Sequence, residues 1–563
     1  MKKNRNLRLL GKKIQIFPKD FRPDRSKCPL IPFSSFHNGE KTLPPPERSE
    51  RSVDIIHRNT VADLIRRAAR RHPDKVALLF GDRQWTYRHL EEASNRLARH
   101  LIEAGLKKGD RVAAFGRNSD AYMLLWLATA KAGLVHVPVN FTLAGDELSY
   151  ILNQSGSRAL FHDPDLADRV EAVKGATGVE IFGTLRDGRK FDVMRLAEEG
   201  SALPPEVEVR DTDLVQLLYT SGTTSAPKGA MMTHRALVHE YISCITALDF
   251  SPADRPLHAL PLYHSAQMHV FLMPYLMLGA TNRLLEIPDA QEVLRIISEE
   301  KINSFFAPPT FWISLLNHPD FNRRDLTSLT KGYYGASIMP VPVLKKLKEA
   351  LPRLSVYNCF GQSEIAPLAT VLRPEEHEAR PDSAGKPVLF VEMRVVDDNM
   401  EDVSPGEIGE VVYRSPQLCI GYWDKPEETA EAFAGGWFHS GDLARIDEEG
   451  YITIVDRKKD VINTGGVLVA SREVEEAIYT HPAVKEVAVV ATPDPKWIEA
   501  VTAVVVLKEG ARASEEEIIQ WSRERLAPFK VPKKVHFVED LPRNASGKIL
   551  KRKLREQFSE TGT

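Results

Sequence analysis

The feature that most constrains this chain is a short apolar run that leads into a stretch rich in hydroxyl groups, between residues 215 and 229. Val215 to Leu218 predicts a buried strand, and the residues after it supply Tyr, Thr and Ser hydroxyls together with Gly222, Lys228 and Gly229. Glycine lets the backbone approach a ligand closely, and successive N–H groups and hydroxyls suit phosphate oxygens. Lysine adds a mobile positive charge. The stretch therefore indicates a phosphate-binding loop, although an ordinary surface loop rich in Ser, Thr and Gly has the same composition.

The spacing of this loop and the lack of other motifs exclude several enzyme classes. A Walker loop needs Gly directly before its Lys and Ser or Thr directly after it, whereas Pro227 precedes Lys228 and Gly229 follows it. The patterns GxGxxG, GxSxG and HExxH are absent from the sequence. Dinucleotide oxidoreductases, serine hydrolases of the elbow type and zincin metalloproteases therefore lose support.

The composition is that of an ordinary globular protein of several domains. The 563 residues are 43% hydrophobic and 27% charged, and the formal net charge of −2 does not point to nucleic acid. The cysteines, at 28, 244, 359 and 419, form no CxxC pair, which argues against a zinc site or disulfide framework and fits a cytoplasmic location. No run of 18 apolar residues is present, so no membrane span is expected.

The first 52 residues differ from the rest of the chain. Residues 1–30 hold ten Lys or Arg against two Asp, and a run of prolines follows at 44–46. The basic start lacks the apolar core of a secretory signal. We expect a basic, disordered extension; a peripheral contact with an anionic membrane is the alternative.

From residue 53 onward, apolar periodicity predicts alternating strands and helices. Strands are expected at 76–80 and 111–115, and helices at 63–69, 88–104 and 122–132, which indicates α/β layers with mainly parallel sheets. From about residue 380, short strands separated by Gly and Pro turns predict a β-rich part. A compact α+β unit follows, with helices near 473–479 and 514–526 and strands near 487–491 and 503–507.

Further segments, in a fixed order, accompany the phosphate loop and together resemble the AMP-binding, adenylate-forming superfamily, fatty acyl-CoA synthetase type. They read LPLYH at 260–264, GAS at 335–337, NCFGQSE at 358–364, GWFHSGD at 436–442, DRKKD at 456–460 and PRNASGK at 542–548. The resemblance covers roughly residues 55–555, nearly the whole chain. It implies an α/β fold class: a large N-terminal domain of two α/β subdomains plus a small β-barrel at 53–458, and a small, mobile α+β C-terminal lid at 459–563.

The resemblance also implies an activity and a set of site residues. The activity is an ATP-dependent, Mg²⁺-assisted carboxylate–CoA ligase, which converts a small carboxylic acid to acyl-AMP with release of pyrophosphate and then transfers the acyl group to coenzyme A. Catalytic roles fall to Lys548, Glu364, Thr223 and His264, with Glu364 also the metal ligand. The nucleotide contacts are Thr220, Ser221, Gly222, Thr224, Lys228, Gly335, Ala336, Ser337, Asn358, Phe360, Gly361, Ser363, Asp442 and Arg457. The hinge is Lys459, coenzyme A lies by Gly465 and Gly466, and the acyl pocket is walled by Tyr263, Gln267, Met268, Phe311, Tyr334 and Leu368.

The residue types suit these roles, and each also has a plainer interpretation. Glu364 offers a hard oxygen to Mg²⁺, or is a helix N-terminal Glu. Asp442 can accept hydrogen bonds from both ribose hydroxyls, or ends a turn. Arg457 offers a fork to ribose or phosphate, or forms a surface ion pair. Lys548 bridges carboxylate and phosphate, or is a solvated charge. His264 polarises or gates the acid, or is a packed core residue.

Some residues depart from the common family pattern, and those near the hinge bear on the geometry of the coenzyme A step rather than on adenylation. Ser225 stands where Gly is usual, Phe360 where Tyr is usual and Ser363 where Thr is usual. Leu468 and Ser471 replace the usual Asn and Pro after the glycine pair, near the hinge and the coenzyme A tunnel.

The apolar wall without a second charge favours a medium- or long-chain fatty acid. An acyl-AMP ligase that loads a carrier protein, an aryl or other carboxylate–CoA ligase, and a non-enzymatic binding protein remain alternatives. A homodimer is left open.

Overall fold

The computed structural model describes residues 56–188, 191–220, 226–337, 339–464, 467–543 and 549–559. The chain divides after His57 into two units, and only Ile56 and His57 of the first are described. The proposed extension at 1–52 thus lies outside the described residues. All that follows concerns the second unit, Arg58–Thr563.

The described strands, in chain order, are β1 Val76–Phe80, β2 Arg83–Thr86, β3 Arg111–Phe115, β4 Val135–Val139, β5 Ser157–His162, β6 Ile181–Thr184, β7 Leu214–Thr220, β8 Lys228–Thr233, β9 Pro256–His258, β10 Asn282–Leu284, β11 Ser304–Phe306, β12 Lys331–Gly335, β13 Ser355–Gly361, β14 Leu368–Leu372, β15 Lys386–Pro387, β16 Glu392–Val396, β17 Ile408–Arg414, β18 Phe438–Ile446, β19 Ile452–Arg457, β20 Ile462–Thr464, β21 Val467–Val469, β22 Val484–Asp494, β23 Ile498–Leu507 and β24 Lys534–Phe537.

The described α-helices, in chain order, are α1 Val61–Arg71, α2 Tyr87–Glu103, α3 Asp120–Lys131, α4 Gly145–Ser155, α5 Ala167–Lys174, α6 Val193–Glu198, α7 His234–Ala247, α8 Met273–Leu278, α9 Ala290–Glu300, α10 Pro309–Asn317, α11 Val341–Ala350, α12 Pro426–Ala432, α13 Ser471–Tyr479, α14 Glu515–Arg523 and α15 Lys551–Ser559. A π-helical stretch, Ala266–Leu272, leads into α8, and a 3₁₀ turn, Ser363–Ile365, follows β13.

Two large sheets form the first part of the unit. One has the order β6-β5-β3-β4-β7-β8, parallel except for the β7–β8 pair. The other has the order β15-β14-β13-β12-β11-β9-β10-β1-β2, with a parallel centre and antiparallel edges. The expected α/β layers with mainly parallel sheets are confirmed. In such open sheets, ligands bind beyond the carboxyl ends of the strands.

Two smaller sheets follow. Where the family resemblance implies a small β-barrel, β16-β17-β18-β19 form a four-stranded antiparallel sheet. The last sheet has the order β21-β20-β23-β22, with β24 parallel to β23, and α13 and α14 pack on it. Its core is separate and consists largely of valine side chains of β22 and β23, with Ile478 and Ile518 from the two helices.

Local signals explain several element ends near the site. Helix α7 begins directly after β8 because the Thr233 hydroxyl caps it by accepting from the Ala236 N–H. Helix α3 begins in the same way at Ser119, whose hydroxyl accepts from the Tyr122 N–H. In the part of the chain that the structure describes, no helix is long and apolar enough to cross a membrane.

Candidate active site

The predicted phosphate loop connects two antiparallel strands. Thr220, at the end of β7, faces Lys228, at the start of β8, in the register of the pair. The sequence predicts a loop from Tyr219 to Gly229, but the strands continue to Thr220 and resume at Lys228. The remaining loop contacts, Ser221, Gly222, Thr223 and Thr224, and the departure at Ser225 lie outside the described residues.

The hairpin is also fixed along the other side of β8 by a segment at 420–423. The Met231 N–H donates to the Gly421 carbonyl at 2.9 Å, and the Trp423 N–H donates to the Gly229 carbonyl at 2.8 Å. The hydroxyl of Tyr150 donates to the carbonyl of Pro227, inside the loop, at 3.1 Å. Strand β8 is therefore hydrogen-bonded on both edges, and its first residue, Lys228, has a defined position at the mouth of the loop.

Lys228, Tyr422 and Glu364 come together beside this hairpin. The ammonium of Lys228 lies 5.3 Å from the centre of the Tyr422 ring. The Tyr422 hydroxyl donates to Glu364 Oε1 at 3.1 Å, and burial, together with the Glu364 charge, raises the pKa of that hydroxyl well above its usual range. The Glu364 backbone carbonyl accepts from the Cys419 N–H at 2.7 Å. The carboxylate is thus held in place while its side chain remains partly exposed.

His264 is brought close to the same turn through its neighbour. The Ser265 and Ser363 hydroxyls lie 3.0 Å apart, so the loop that carries His264 contacts the 3₁₀ turn that carries Glu364. The His264 ring lies 5.2 Å from the ring of Tyr263. Two segments that are distant in sequence therefore share one edge of the nine-stranded sheet.

The predicted adenine residues lie at the carboxyl ends of two paired strands. Gly335 of β12 faces Cys359 of β13, and a Cβ at Gly335 would lie 2.3 Å from the Cys359 carbonyl oxygen, so only glycine fits. Beyond it the chain turns with φ of 64° at Ala336, and Ala336 and Ser337 are exposed.

On the second of these strands, β13, the residues differ in how they are held. Asn358 donates from Nδ2 to the Ser383 carbonyl at 2.8 Å, whereas the Phe360 ring is half-buried against the core. A Cβ at Gly361, where φ is 154°, would lie 1.9 Å from the Pro367 carbonyl oxygen. These ends form one surface next to Ser363 and Glu364.

Asp442 and Arg457 form a pair on neighbouring strands of the four-stranded sheet. They are register partners on β18 and β19, and Arg457 Nε lies 2.7 Å from Asp442 Oδ1. The Asp442 charge, and to a smaller extent that of Glu364, raises the pKa of the Arg457 guanidinium. The pair thus places a carboxylate and a fixed cation near the Glu364 turn.

The predicted hinge directly follows this pair. Although Lys459 keeps exposed surface, partial burial of its ammonium and the neighbouring Arg457 charge lower its pKa to about 8. Just before it, Asp456 accepts hydrogen bonds from the backbone N–H and the hydroxyl of Ser471, at 2.6 and 2.7 Å. The Lys551 ammonium donates to the same hydroxyl at 2.6 Å. A proline at position 471 could not donate through its backbone, so the serine there makes a contact that the usual residue lacks.

The remaining predicted site residues belong to the C-terminal part of the chain. Gly465, Gly466 and Lys548 lie outside the described residues. Leu468, one of the departures from the family pattern, is on β21 and is 69% exposed.

The predicted acyl wall is divided among different parts of the core. Met268, with Tyr263 packed against it, belongs to one apolar cluster, Tyr334 and Phe311 to a second and Leu368 to a third. The Gln267 amide has a partner at each end: Nε2 lies 2.8 Å from His258 Nδ1, and Oε1 accepts from the Leu260 N–H at 3.2 Å. The Tyr334 hydroxyl lies 3.1 Å from His377 Nε2. The membership of these side chains in a single pocket remains a prediction.

Sequence reasoning missed Tyr422 and a buried acid, Glu240. Tyr422 follows Gly421, which the sequence marks only as a turn, and nothing local connects it with Glu364. Glu240 has a detectable signal, because it is an acidic residue at helical spacing among Leu237, Tyr241 and Cys244, which are all buried.

Comparison with known proteins now places the chain in a family. Residues 65–423 match the model of the AMP-binding enzyme family, and residues 473–548 match that of the AMP-binding enzyme C-terminal domain. The chain therefore belongs to the adenylate-forming superfamily of AMP-binding enzymes.

Proteins that are similar to this chain include acyl- and aryl-CoA ligases. A feruloyl-CoA synthase of Amycolatopsis sp is 37% identical over 87% of this chain and 98% of its own length. The long-chain-fatty-acid–CoA ligase FadD13 of Mycobacterium tuberculosis is 36% identical over 85% of this chain and 94% of its own. The crystal structure of ATP-bound MatB from Rhodopseudomonas palustris superposes with a TM-score of 0.83 at 30% identity, covering 89% of this chain and all of that one.

Proposed function

We propose that this chain is an ATP-dependent carboxylate–CoA ligase whose acid is a medium- or long-chain fatty acid. The observation that carries the proposal is the convergence of Lys228, Tyr422 and Glu364 beside the paired Asp442 and Arg457. In the first step the carboxylate oxygen attacks the α-phosphorus of ATP, and the bond to the β-phosphate oxygen breaks to release pyrophosphate. In the second step the coenzyme A thiolate attacks the acyl carbonyl carbon and AMP leaves.

Charge neutralisation and positioning are the main tasks of the protein in the first step, because two anions must meet. Lys228 and Arg457 supply positive charge, and Asp442 is suited to hold the ribose hydroxyls. The described residues contain no group of three His, Cys, Asp or Glu side chains that could hold a metal ion. A magnesium ion that takes one carboxylate and phosphate oxygens needs no such cage, and the partly exposed Glu364 carboxylate fits that donor set. Bound there, Mg²⁺ would neutralise phosphate charge.

The remaining roles come from the family resemblance. Thr223 and the other loop residues would bind the phosphates, and Lys548 would bridge carboxylate and α-phosphate. Lys459 would be the hinge about which the C-terminal part turns, to bring Gly465 and Gly466 beside coenzyme A. His264 would contact the acid, since Ser265 next to it contacts the Glu364 turn.

An aryl acid with a polar ring substituent is the second candidate. Tyr263, in the predicted acyl wall, has a buried hydroxyl without a hydrogen-bond partner among the described residues. A buried hydroxyl left unsatisfied costs about 1–3 kcal/mol, and a ring hydroxyl or methoxy oxygen could satisfy it, whereas a saturated chain could not. The similarity to a feruloyl-CoA synthase supports the same candidate.

The deciding experiment is a panel of acids, with pyrophosphate release measured with and without coenzyme A. For a fatty acid, kcat/KM should rise with each methylene buried, at ~0.8 kcal/mol apiece, until the pocket ends. Acetate and malonate should be poor substrates. A flat aliphatic series with a strong preference for ferulate over cinnamate would select the aryl candidate. Acyl-AMP that accumulates with coenzyme A present and is discharged only by a carrier protein would refute the coenzyme A step.

A further inference from the structure

A buried carboxyl group lies directly behind the turn that carries Glu364. Glu240, on α7, is fully buried, and its carboxylate accepts three hydrogen bonds from described residues. The Leu368 N–H donates to Oε1 at 2.9 Å, the Cys244 thiol donates to Oε1 at 3.3 Å, and Gln417 Nε2 donates to Oε2 at 2.5 Å. Both oxygens of Glu240 are therefore acceptors.

Gln417 continues this cluster toward the site. Its Nε2 also lies 3.1 Å from the Leu368 carbonyl and 3.5 Å from the Ile365 carbonyl, so it contacts both ends of the segment that follows Glu364. Carbonyls only accept, so these contacts fix the orientation of the amide, and its Oε1 accepts from the Ser243 hydroxyl at 2.6 Å. Glu240 and Gln417 together thus fasten residues 365–368 to helix α7.

The same glutamine begins the segment that reaches Glu364 and the phosphate hairpin. Two residues after Gln417, the Cys419 N–H donates to the Glu364 carbonyl at 2.7 Å, and the Ile420 N–H donates to Met231 of β8 at 3.0 Å. Tyr422, which donates to the Glu364 carboxylate, lies in this segment. Glu240 therefore acts on both backbones that hold Glu364, the one that carries it and the one that supplies its hydrogen-bond donors.

A buried acid such as Glu240, without a cationic partner in the described residues, is unfavourable for the stability of the fold. A buried carboxylate loses its hydration, and in the described part of the chain no Lys or Arg forms an ion pair with Glu240. Burial raises the pKa of the Glu240 carboxyl, and the Leu368 and Cys244 hydrogen bonds oppose that rise. An apolar side chain would fill the same space without this cost. A contribution to stability therefore does not explain the presence of an acid here, whereas the hydrogen bonds that its oxygens accept do explain it.

On these contacts we propose that Glu240 is a positioning residue for Glu364, which it holds, through Gln417 and residues 365–368, in the orientation that binds the magnesium ion of MgATP. The inference rests on the proposed function, since that function makes Glu364 the metal ligand. Groups that orient a metal ligand without touching the metal affect metal affinity strongly.

The test is the variant Glu240→Gln, which keeps size and shape but replaces one acceptor by an NH₂ group. Whichever oxygen it replaces, that group would face a donor, either Gln417 Nε2 or the Leu368 N–H, so one of the contacts that fasten residues 365–368 to α7 should be lost. Binding of a non-hydrolysable ATP analogue with a methylene between the α- and β-phosphates is measured by calorimetry, with Mg²⁺ and with EDTA. The Kd with Mg²⁺ should rise by about tenfold or more, while the Kd in EDTA stays close to that of the wild type.

Two further variants separate positioning from stability. Asp120→Asn is the matched control, because Asp120 is also a fully buried acid. It accepts from Arg83 and Trp85 of β2, the edge strand of the nine-stranded sheet at the opposite end from β14 and β15. This variant should lower the melting temperature without changing the Mg²⁺-dependent part of binding. If Glu240→Gln fails to fold, Ser243→Ala is the milder substitution, because it removes only the hydrogen bond from the Ser243 hydroxyl to Gln417 Oε1. It should also raise the Kd for the analogue measured with Mg²⁺.

The outcomes distinguish the inference from the proposed function. If the wild type binds the analogue no better with Mg²⁺ than with EDTA, the role of Glu364 in the proposed function fails. If the wild type shows the Mg²⁺ effect and Glu240→Gln retains it in full, or loses binding equally with Mg²⁺ and EDTA, Glu240 does not position Glu364. Thioester formation from supplied acyl-AMP should fall less than the complete reaction in Glu240→Gln, and an equal fall would also overturn the inference.

Discussion

Gly335→Ala should damage stability and ATP binding together, because the new methyl group would collide with backbone. The Cβ would lie 2.3 Å from the Cys359 carbonyl oxygen, about 1 Å inside ordinary contact at 3.4 Å, and a carbonyl in a strand cannot rotate away. Relief requires β12 and β13 to separate where Gly335 faces Cys359. Overpacking costs about 1–3 kcal/mol, and each ladder hydrogen bond lost adds about 0.5–1.5 kcal/mol. We expect a total loss of about 2–4 kcal/mol.

The same strand offers a matched control. The three atoms nearest to a Cβ at Gly332 would all belong to the Leu354 side chain, whose methyl groups lie 3.1 Å away and can shift, unlike a backbone carbonyl. Gly332→Ala should therefore change the urea midpoint little. The KM for ATP, measured by pyrophosphate exchange, should rise in Gly335→Ala alone, because Ala336 and Phe360 extend from the strands that separate. Equal midpoints and equal KM values for the two variants would refute the steric argument and the assignment of these strand ends to the nucleotide.

Three further variants test the chemistry and the pH dependence. Lys548→Ala should lose adenylation, by about 2.7–4 kcal/mol, but keep thioester formation from supplied acyl-AMP. Lys553→Ala is the control, and equal losses in both half-reactions would exclude the bridging role. His136→Leu should unfold at higher temperature, since burial lowers the His136 pKa to about 3 and both ring nitrogens lack a hydrogen-bond partner among the described residues. Its advantage should grow as pH falls from 6.5, where the unfolded wild type takes up a proton that the native state refuses; a constant difference would contradict this. Lys459→Met should raise the melting temperature at pH 7 and lose that advantage as pH rises from about 8 to 10.5, where the wild-type ammonium loses its proton in the native and then in the unfolded state. A gain that persists at pH 10.5 would point to packing.

The sequence predicted elements well where local signals agree. The strands at 76–80 and 111–115 occur at the predicted bounds, because short apolar runs there are bounded by turn residues. The hairpin was less visible, since Thr220 and Lys228 read as loop residues and their pairing depends on the distant segment at 420–423. Tyr422 and Gln417 could not be assigned for the same reason: their contacts with Glu364 and Glu240 join parts of the chain that no periodicity relates.

The double pairing of β8 has a consequence for how motion is distributed around the nucleotide. The amide protons of Met231, Ile420 and Trp423 can exchange with solvent only if hydrogen bonds that support each other open together. We expect these amides to exchange among the slowest in the protein, with or without ATP. Strand β8 would then keep the same hydrogen bonds in the free and the nucleotide-bound protein, and Lys228, its first residue, would be held in place before ATP arrives.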